Sequence, residues 1–296
     1  MTDGQSFHRY NVGSVEVTVV RDGQRTFPLP DHFVVNATRD DVNAALGAAS
    51  LPRDEMTIHF NPVALNVGGK VVVIDTGNGA PAKAASGGAV GQFADNLKAS
   101  GIDPADVDMV VISHFHGDHI NGLIDAAGAR VFAKAEIFVP EAEWNFWMDE
   151  GERNRAPAGR QDAFSNAWRV FDAALKRQVN RYEWEREIVP GLLAMETAGH
   201  TPGHTSFLLS SGPDRLFIQS DVTNHPALFV RNPTWHPAFD LNAERAERTR
   251  LRIYDMLASE KLKVQAFHYP FPSFGYIEKD GSRYHVVPEP GQRPIW

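Results

Sequence analysis

The sequence predicts a mixed α+β fold, two β-sheets packed face to face with helices outside, and three observations carry that prediction. Apolar runs of strand length recur in both halves of the chain, over residues 14–75 and 109–139 and again over 192–220 and 263–267. Helical periodicity appears in each half, at 91–100, 141–149 and 161–179, then at 242–259. No internal repeat or low-complexity segment divides the chain, so residues 1–296 read as a single layered domain.

Taken in order, Ser14 to Val20 alternates as a first strand and Arg21-Asp22-Gly23 reads as its turn. Phe27 to Asp54 is irregular, with Pro28, Pro30 and Pro52 around a short helix at Arg39 to Ala49, and reads as a surface excursion suited to a pocket wall or partner contact. Pro62 to Val67 and Lys70 to Asp75 form a hairpin across Gly68-Gly69. The helix Gly91 to Ser100 stops at Gly101 before the buried strand Met109 to Ile112. Ala135 to Val139 is a strand, and Glu141 to Asp149 a helix carrying Trp144, Phe146 and Trp147. Gln161 to Val179 is helical, with Ala163, Phe164, Ala167, Val170, Phe171, Ala174 and Leu175 at helical spacing. The linker Gly151 to Arg160 is polar and loop-like, which lets this helical insertion, about residues 141–180, cap a site. Strands at Leu192 to Glu196, Ser206 to Ser210 and Arg215 to Ser220, a helix at Asn242 to Ser259 and a strand at Lys263 to Phe267 complete the pattern.

Composition narrows the chemistry. With 43% hydrophobic residues in 296 the chain has ample core. The absence of cysteine excludes disulfides, thiolate metal sites, iron–sulfur clusters and a cysteine nucleophile. A formal charge of -8 argues against a nucleic-acid partner and favours a small neutral substrate. The N-terminus MTDGQSFHRYNVG has no secretory pattern and no segment reaches membrane-spanning length, so the expected location is the cytoplasm; a trimmed export leader would leave the same sequence.

The chemistry concentrates in VVISHFHGDHIN, residues 110–121. His114 and His116, two apart after a buried strand, point to one place, whereas Asp118 and His119 come after the turn at Gly117 and point to a neighbouring one. Neutral imidazoles with carboxylates suit divalent zinc, with manganese, cobalt or iron as alternatives. Further His and Asp residues stand at other strand ends: Asp75 in IDTG, His200 and His204 in TAGHTPGHT, Asp221 in SD, and His268. Asp75 reads either as a turn former or as the carboxylate that orients a metal-bound imidazole. Spacing alone does not choose between His200 and His204.

These residues resemble the metallo-β-lactamase superfamily, most closely the branch that holds methyl parathion hydrolase and the acyl-homoserine lactonases, with order and spacing matching from about Ser14 to His268. The resemblance implies the four-layer αββα sandwich and two divalent ions, zinc foremost. It implies that His114, His116 and His200 bind the first ion, that Asp118, His119 and His268 bind the second, and that Asp221 bridges; His204 braces the loop beside them. The implied reaction is attack of a shared hydroxide on a small ester, lactone or phosphotriester, with Asp118 relaying a proton to the leaving group. A glyoxalase II-like thioester hydrolase shares this ligand set, and a metal-binding protein of the same fold without turnover is the third reading. Related hydrolases are often dimers, so a homodimer through the Phe27 to Asp54 excursion is also implied. Trp147, Phe229 and Phe274 are the ring candidates for substrate contact, with Phe60, Trp144, Trp235 and Phe271 nearby. His225 reads as a solvated loop histidine, and His8, His32, His59, His236 and His285 carry no motif.

Overall fold

The computed structural model describes residues 5–171, 175, 178–290 and 295. Its strands are β1 (Phe7–Val12), β2 (Val15–Val20), β3 (Gly23–Pro28), β4 (Glu55–Phe60), β5 (Val63–Val67), β6 (Lys70–Ile74), β7 (Met109–Val111), β8 (Glu136–Pro140) and β9 (Val179–Tyr182), then β10 (Arg186–Val189), β11 (Leu192–Glu196), β12 (Thr205–Ser211), β13 (Asp214–Ile218), β14 (Lys263–Gln265), β15 (Phe274–Asp280) and β16 (Arg283–Pro288). They make one seven-stranded sheet in the order β1-β2-β5-β6-β7-β8-β9, a second in the order β10 to β16, and a β3-β4 ribbon.

Side-chain alternation explains why two sheets stack. Val72 and Ile74 of β6 and Met109 and Val111 of β7 face Leu192, Ala194, Phe207, Leu209, Leu216 and Ile218 of the second sheet. Their neighbours Val73 and Val110 face outward, onto Phe93, Leu97, Trp144 and Phe164. Both faces are covered, so these strands are uninterrupted apolar runs. The outer cover of the first sheet comes from the helices Phe93–Ala99, Glu141–Trp147 and Ala158–Val170. On the second sheet the long helix Ala243–Glu260 lays Ile253, Tyr254 and Leu257 over Val264, Ile277 and Tyr284. Helix, sheet, sheet, helix is the αββα arrangement expected.

Several elements differ from the expectation. The strand at 14–20 is not first: β1 pairs with it in antiparallel register, Phe7 opposite Val20. Its sequence FHRYNV is half-exposed at the sheet edge and lacks an apolar run. Arg21-Asp22-Gly23 leads into β3 rather than reversing the chain, because the buried Asp22 carboxylate accepts from the backbone N–H groups of Asn78, Gly91 and Phe93 and from the Asn78 amide. The 27–54 excursion does hold a helix, Arg39–Ala48, capped by Thr38, but β3 and β4 clamp its two ends. The linker 151–160 contains most of the helix Glu150–Arg155, whose Asp149 cap accepts from Glu152 N–H. The helix expected over 161–179 ends at Val170, and Val179 opens β9, parallel to β8. Leu175 is buried, whereas Ala174 lies outside the described residues.

Candidate metal centre

The site is assembled at one edge of the sandwich, from segments at the ends of five strands. Asp75 ends β6, Ser113 to His119 come after β7, His200 and His204 lie between β11 and β12, Asp221 comes after β13 and His268 after β14. Strand ends at one sheet edge bring distant residues together on a rigid base.

Two groups of metal-type donors converge there. Ligand atoms of His114, His116, His200 and Asp221 lie within 4.8 Å of one another, as do those of Asp118, His119 and His268. Asp221 stands between the groups: Oδ2 is 3.3 Å from His200 Nε2 and 3.0 Å from His268 Nε2, and Oδ1 is 3.3 Å from His119 Nε2. Asp118 Oδ2 is 3.6 Å from His119 Nε2 and 3.5 Å from His268 Nε2.

The group that holds each ring is as informative as the direction of its free nitrogen. Ser113 Oγ donates its proton to Asp75 Oδ2 at 2.7 Å and accepts from His114 Nδ1 at 3.0 Å. His119 Nδ1 donates to Asp75 Oδ2 at 2.8 Å, His200 Nδ1 to Asp240 Oδ1 at 2.8 Å, and His268 Nδ1 to the His59 carbonyl at 2.7 Å. Four rings are thereby fixed in one tautomer with Nε2 turned inward. His116 offers Nδ1, 3.1 Å from His114 Nε2 and 2.9 Å from His200 Nε2. One N–H cannot serve two such neighbours, but three lone pairs aimed at a common cation can coexist. Buried His119 Nε2 and Asp221 Oδ1 face each other at 3.3 Å, yet neither makes a hydrogen bond among the described residues, which fits a divalent ion and would otherwise be costly.

The electrostatics agree. Burial, then the nearby His200, pushes His116 down to about 3, leaving it neutral with its lone pair available. For His200 burial is outweighed by Asp221 and Asp240, which raise it to about 9. Carboxylates that favour a proton on that ring favour a metal cation in its place.

His204 is set apart from His200 by these contacts. Its Nε2 accepts from the Asp221 N–H at 3.0 Å while Nδ1 donates to the Thr197 carbonyl at 3.1 Å, so it props the Asp221 backbone. Asp240 and Ser113 carry no motif and escaped sequence reasoning; Asp240 is itself held by Arg250 at 3.3 Å. Gly199 has φ +139°, and a Cβ there would lie 2.3 Å from Ala246 N, so the loop rests directly on the long helix.

The ring candidates fare unevenly. Trp147 is buried with its ring 6.2 Å from His116. Phe229 is buried against Phe33, and Phe274 stacks on His8 and lies tilted against Tyr10, so these two pack into the body of the protein. Phe60 lies edge-on to His268 at 5.4 Å, and Phe267, not singled out from sequence, stacks on His119 at 4.0 Å. His225 is not solvated: it is 2% exposed.

Residues 61–257, more than half of the chain, match the Metallo-beta-lactamase superfamily model. An N-acyl homoserine lactonase of Bacillus sp is 30% identical over 198 residues, covering 65% of each chain. The N-acyl homoserine lactonase AttM of Azorhizobium caulinodans is 31% identical over 135 residues, 43% of this chain and 46% of that one. The alignments thus span less than two thirds of these curated relatives. Among solved structures, the dizinc quorum-quenching lactonase AidC superposes with a TM-score of 0.89 at 21% identity, over 97% of this chain and 99% of that one. Hydrolase AbOPH gives 0.88 at 24% identity, over 99% and 100%. The αββα layering, the strand-end cluster and the family match lead to one conclusion: the chain belongs to the metallo-beta-lactamase superfamily.

Proposed function

We infer that the protein is a hydrolase dependent on two divalent ions, zinc foremost, acting on small neutral esters and on lactones first among them. The observation that carries this reading is the Asp221 carboxylate standing between two histidine groups, within 3.3 Å of His200, His119 and His268. On this reading His114, His116 and His200 would hold one ion, Asp118, His119 and His268 the other, and Asp221 would be shared. When bound, such an ion pair supplies a water of near-neutral pKa and polarises the scissile carbonyl.

The chain's own residues supply the rest. Asp118 is the group's solvent-reaching carboxylate, its side chain 23% exposed. Burial is outweighed by His119 and His268, which pull it down to about 2, so it is ionised and placed to carry a proton to the leaving oxygen. Asp75, Ser113 and Asp240 keep the imidazoles oriented through a reaction cycle. The helical insertion caps this edge, with Trp147 beside His116 excluding water from one side. Lactones come first because the curated relatives are named N-acyl homoserine lactonases.

The test is elemental analysis of the purified protein together with hydrolysis of an N-acyl homoserine lactone, an aryl ester and methyl parathion. Two ions per chain with lactone turnover, lost in His116→Ala, supports the reading. Turnover of methyl parathion alone moves it to phosphotriesters, and no turnover with zinc or manganese restored overturns it.

A further inference from the structure

Glu143 lies outside the two ligand groups yet touches both loops that carry histidines. It sits on the helix Glu141–Trp147, is 0% exposed, and gathers three N–H donors from three parts of the chain. Oε1 accepts from Phe115 N–H at 3.0 Å and from the Trp147 indole N–H at 2.7 Å; Oε2 accepts from Gly203 N–H at 2.7 Å. Phe115 is the residue between His114 and His116, and Gly203 precedes His204 in the loop that also presents His200. One carboxylate therefore ties the first histidine loop to the second and both to the helical insertion.

The fit at Gly203 shows how close that junction is. A Cβ there would meet Glu143 N at 2.1 Å and its Cα at 2.6 Å, so only glycine lets the loop lie against the start of the Glu141–Trp147 helix. Burial pushes the Glu143 pKa up, and the three N–H donors, together with the Thr201 hydroxyl, oppose it. All three are donors, so the acceptor-only carboxylate matches them and an amide cannot.

We propose that Glu143 is a positioning residue for the metal centre, locking the His114–His116 and His200–His204 loops at the separation that a shared cation requires. This rests on the metal-dependent reading above. In Glu143→Gln the amide nitrogen must face a backbone N–H, either of Phe115 or of Gly203, and the junction opens on that side. Groups that hold ligand-bearing elements in place typically influence metal affinity by about 10–100-fold.

The experiment measures zinc dissociation by competition with a chromogenic chelator, and the visible spectrum of the cobalt-loaded protein, for the full chain and Glu143→Gln. Leu257→Ala, in the far helix layer, serves as a control of lowered thermal stability. The expected result is zinc binding weakened about 10-fold or more and a shifted cobalt spectrum in Glu143→Gln, with both unchanged in Leu257→Ala. Unchanged affinity and spectrum in Glu143→Gln, or equal losses in Leu257→Ala, overturn the proposal alone. No metal uptake by the unaltered protein overturns the hydrolase reading and this proposal with it. Should Glu143→Gln not fold, Gly203→Ala pries the same junction apart with the carboxylate intact; weakened zinc binding supports the proposal and unchanged binding overturns it.

Discussion

Asp75 Oδ2 accepts from His119 Nδ1 at 2.8 Å and from Ser113 Oγ at 2.7 Å, while Oδ1 accepts from Ser113 N–H at 2.8 Å. Because Ser113 Oγ in turn accepts from His114, this one carboxylate orients a ring in each of the two donor groups. Asp75 adopts φ +60°, a left-handed conformation that Asp and Asn tolerate best among residues with a side chain.

Asp75→Asn tests that relationship without disturbing the backbone. The amide keeps one acceptor and places a donor where three donors converge. Zinc affinity, read by chelator competition, is expected to fall about 10–100-fold. Affinity equal to that of the unaltered protein would show that the carboxylate only ends a strand.

Arg250 supports the site from further away. Buried at 2% exposure, it donates to the carbonyls of Val222, Pro233 and Trp235 and to Asp240, which orients His200. Arg250→Met strands a buried carboxylate, and urea denaturation is expected to show a loss of about 3–5 kcal/mol. Adding Asp240→Asn recovers part of it; a loss under about 1 kcal/mol would mean the pair is not coupled to stability.

The layered fold and the ligand candidates were legible in the sequence because β6 and β7 are covered on both faces and lead directly into His and Asp residues. Edge strands were not: β1 and β16 are half-exposed and mix polar with apolar residues. Asp240, Ser113 and Glu143 were missed for a different reason. Each acts through contacts between segments far apart in the chain, 40 residues for Asp240 with His200 and 60 for Glu143 with Gly203, and such contacts leave no local pattern. His225 misled because a loop position suggested solvent, whereas the fold buries it.

Buried neutral histidines contribute to the acid response of the metal-free protein. Burial, then Arg21 and His268, pushes His59 down to about 4, and burial, then His59 and His268, pushes His225 down to about 3, both from 6.5. Below pH 6.5 the unfolded chain takes up protons that the folded chain refuses. Their contribution is therefore complete above about pH 6.5 and is lost as pH falls toward 4 and 3, each adding a slope of up to about 1.4 kcal/mol per pH unit. Urea midpoints measured with chelator at pH 7.5, 5.5 and 4.5 are expected to fall, less steeply in His225→Gln. Equal slopes in the two proteins would contradict the assignment.

His204→Ala removes the acceptor for the buried Asp221 N–H. That unsatisfied donor alone is expected to cost about 1–3 kcal/mol in urea denaturation of the metal-free protein. Stability unchanged within about 0.5 kcal/mol would mean that water or a rearranged loop replaces the ring.

The most direct test of the central claim is a zinc titration of the chelator-stripped protein while opening of an N-acyl homoserine lactone is monitored. Turnover that rises with added zinc and reaches its plateau at two equivalents per chain is the predicted result. Absence of turnover at every ratio, or a full rate in the stripped protein, would contradict it.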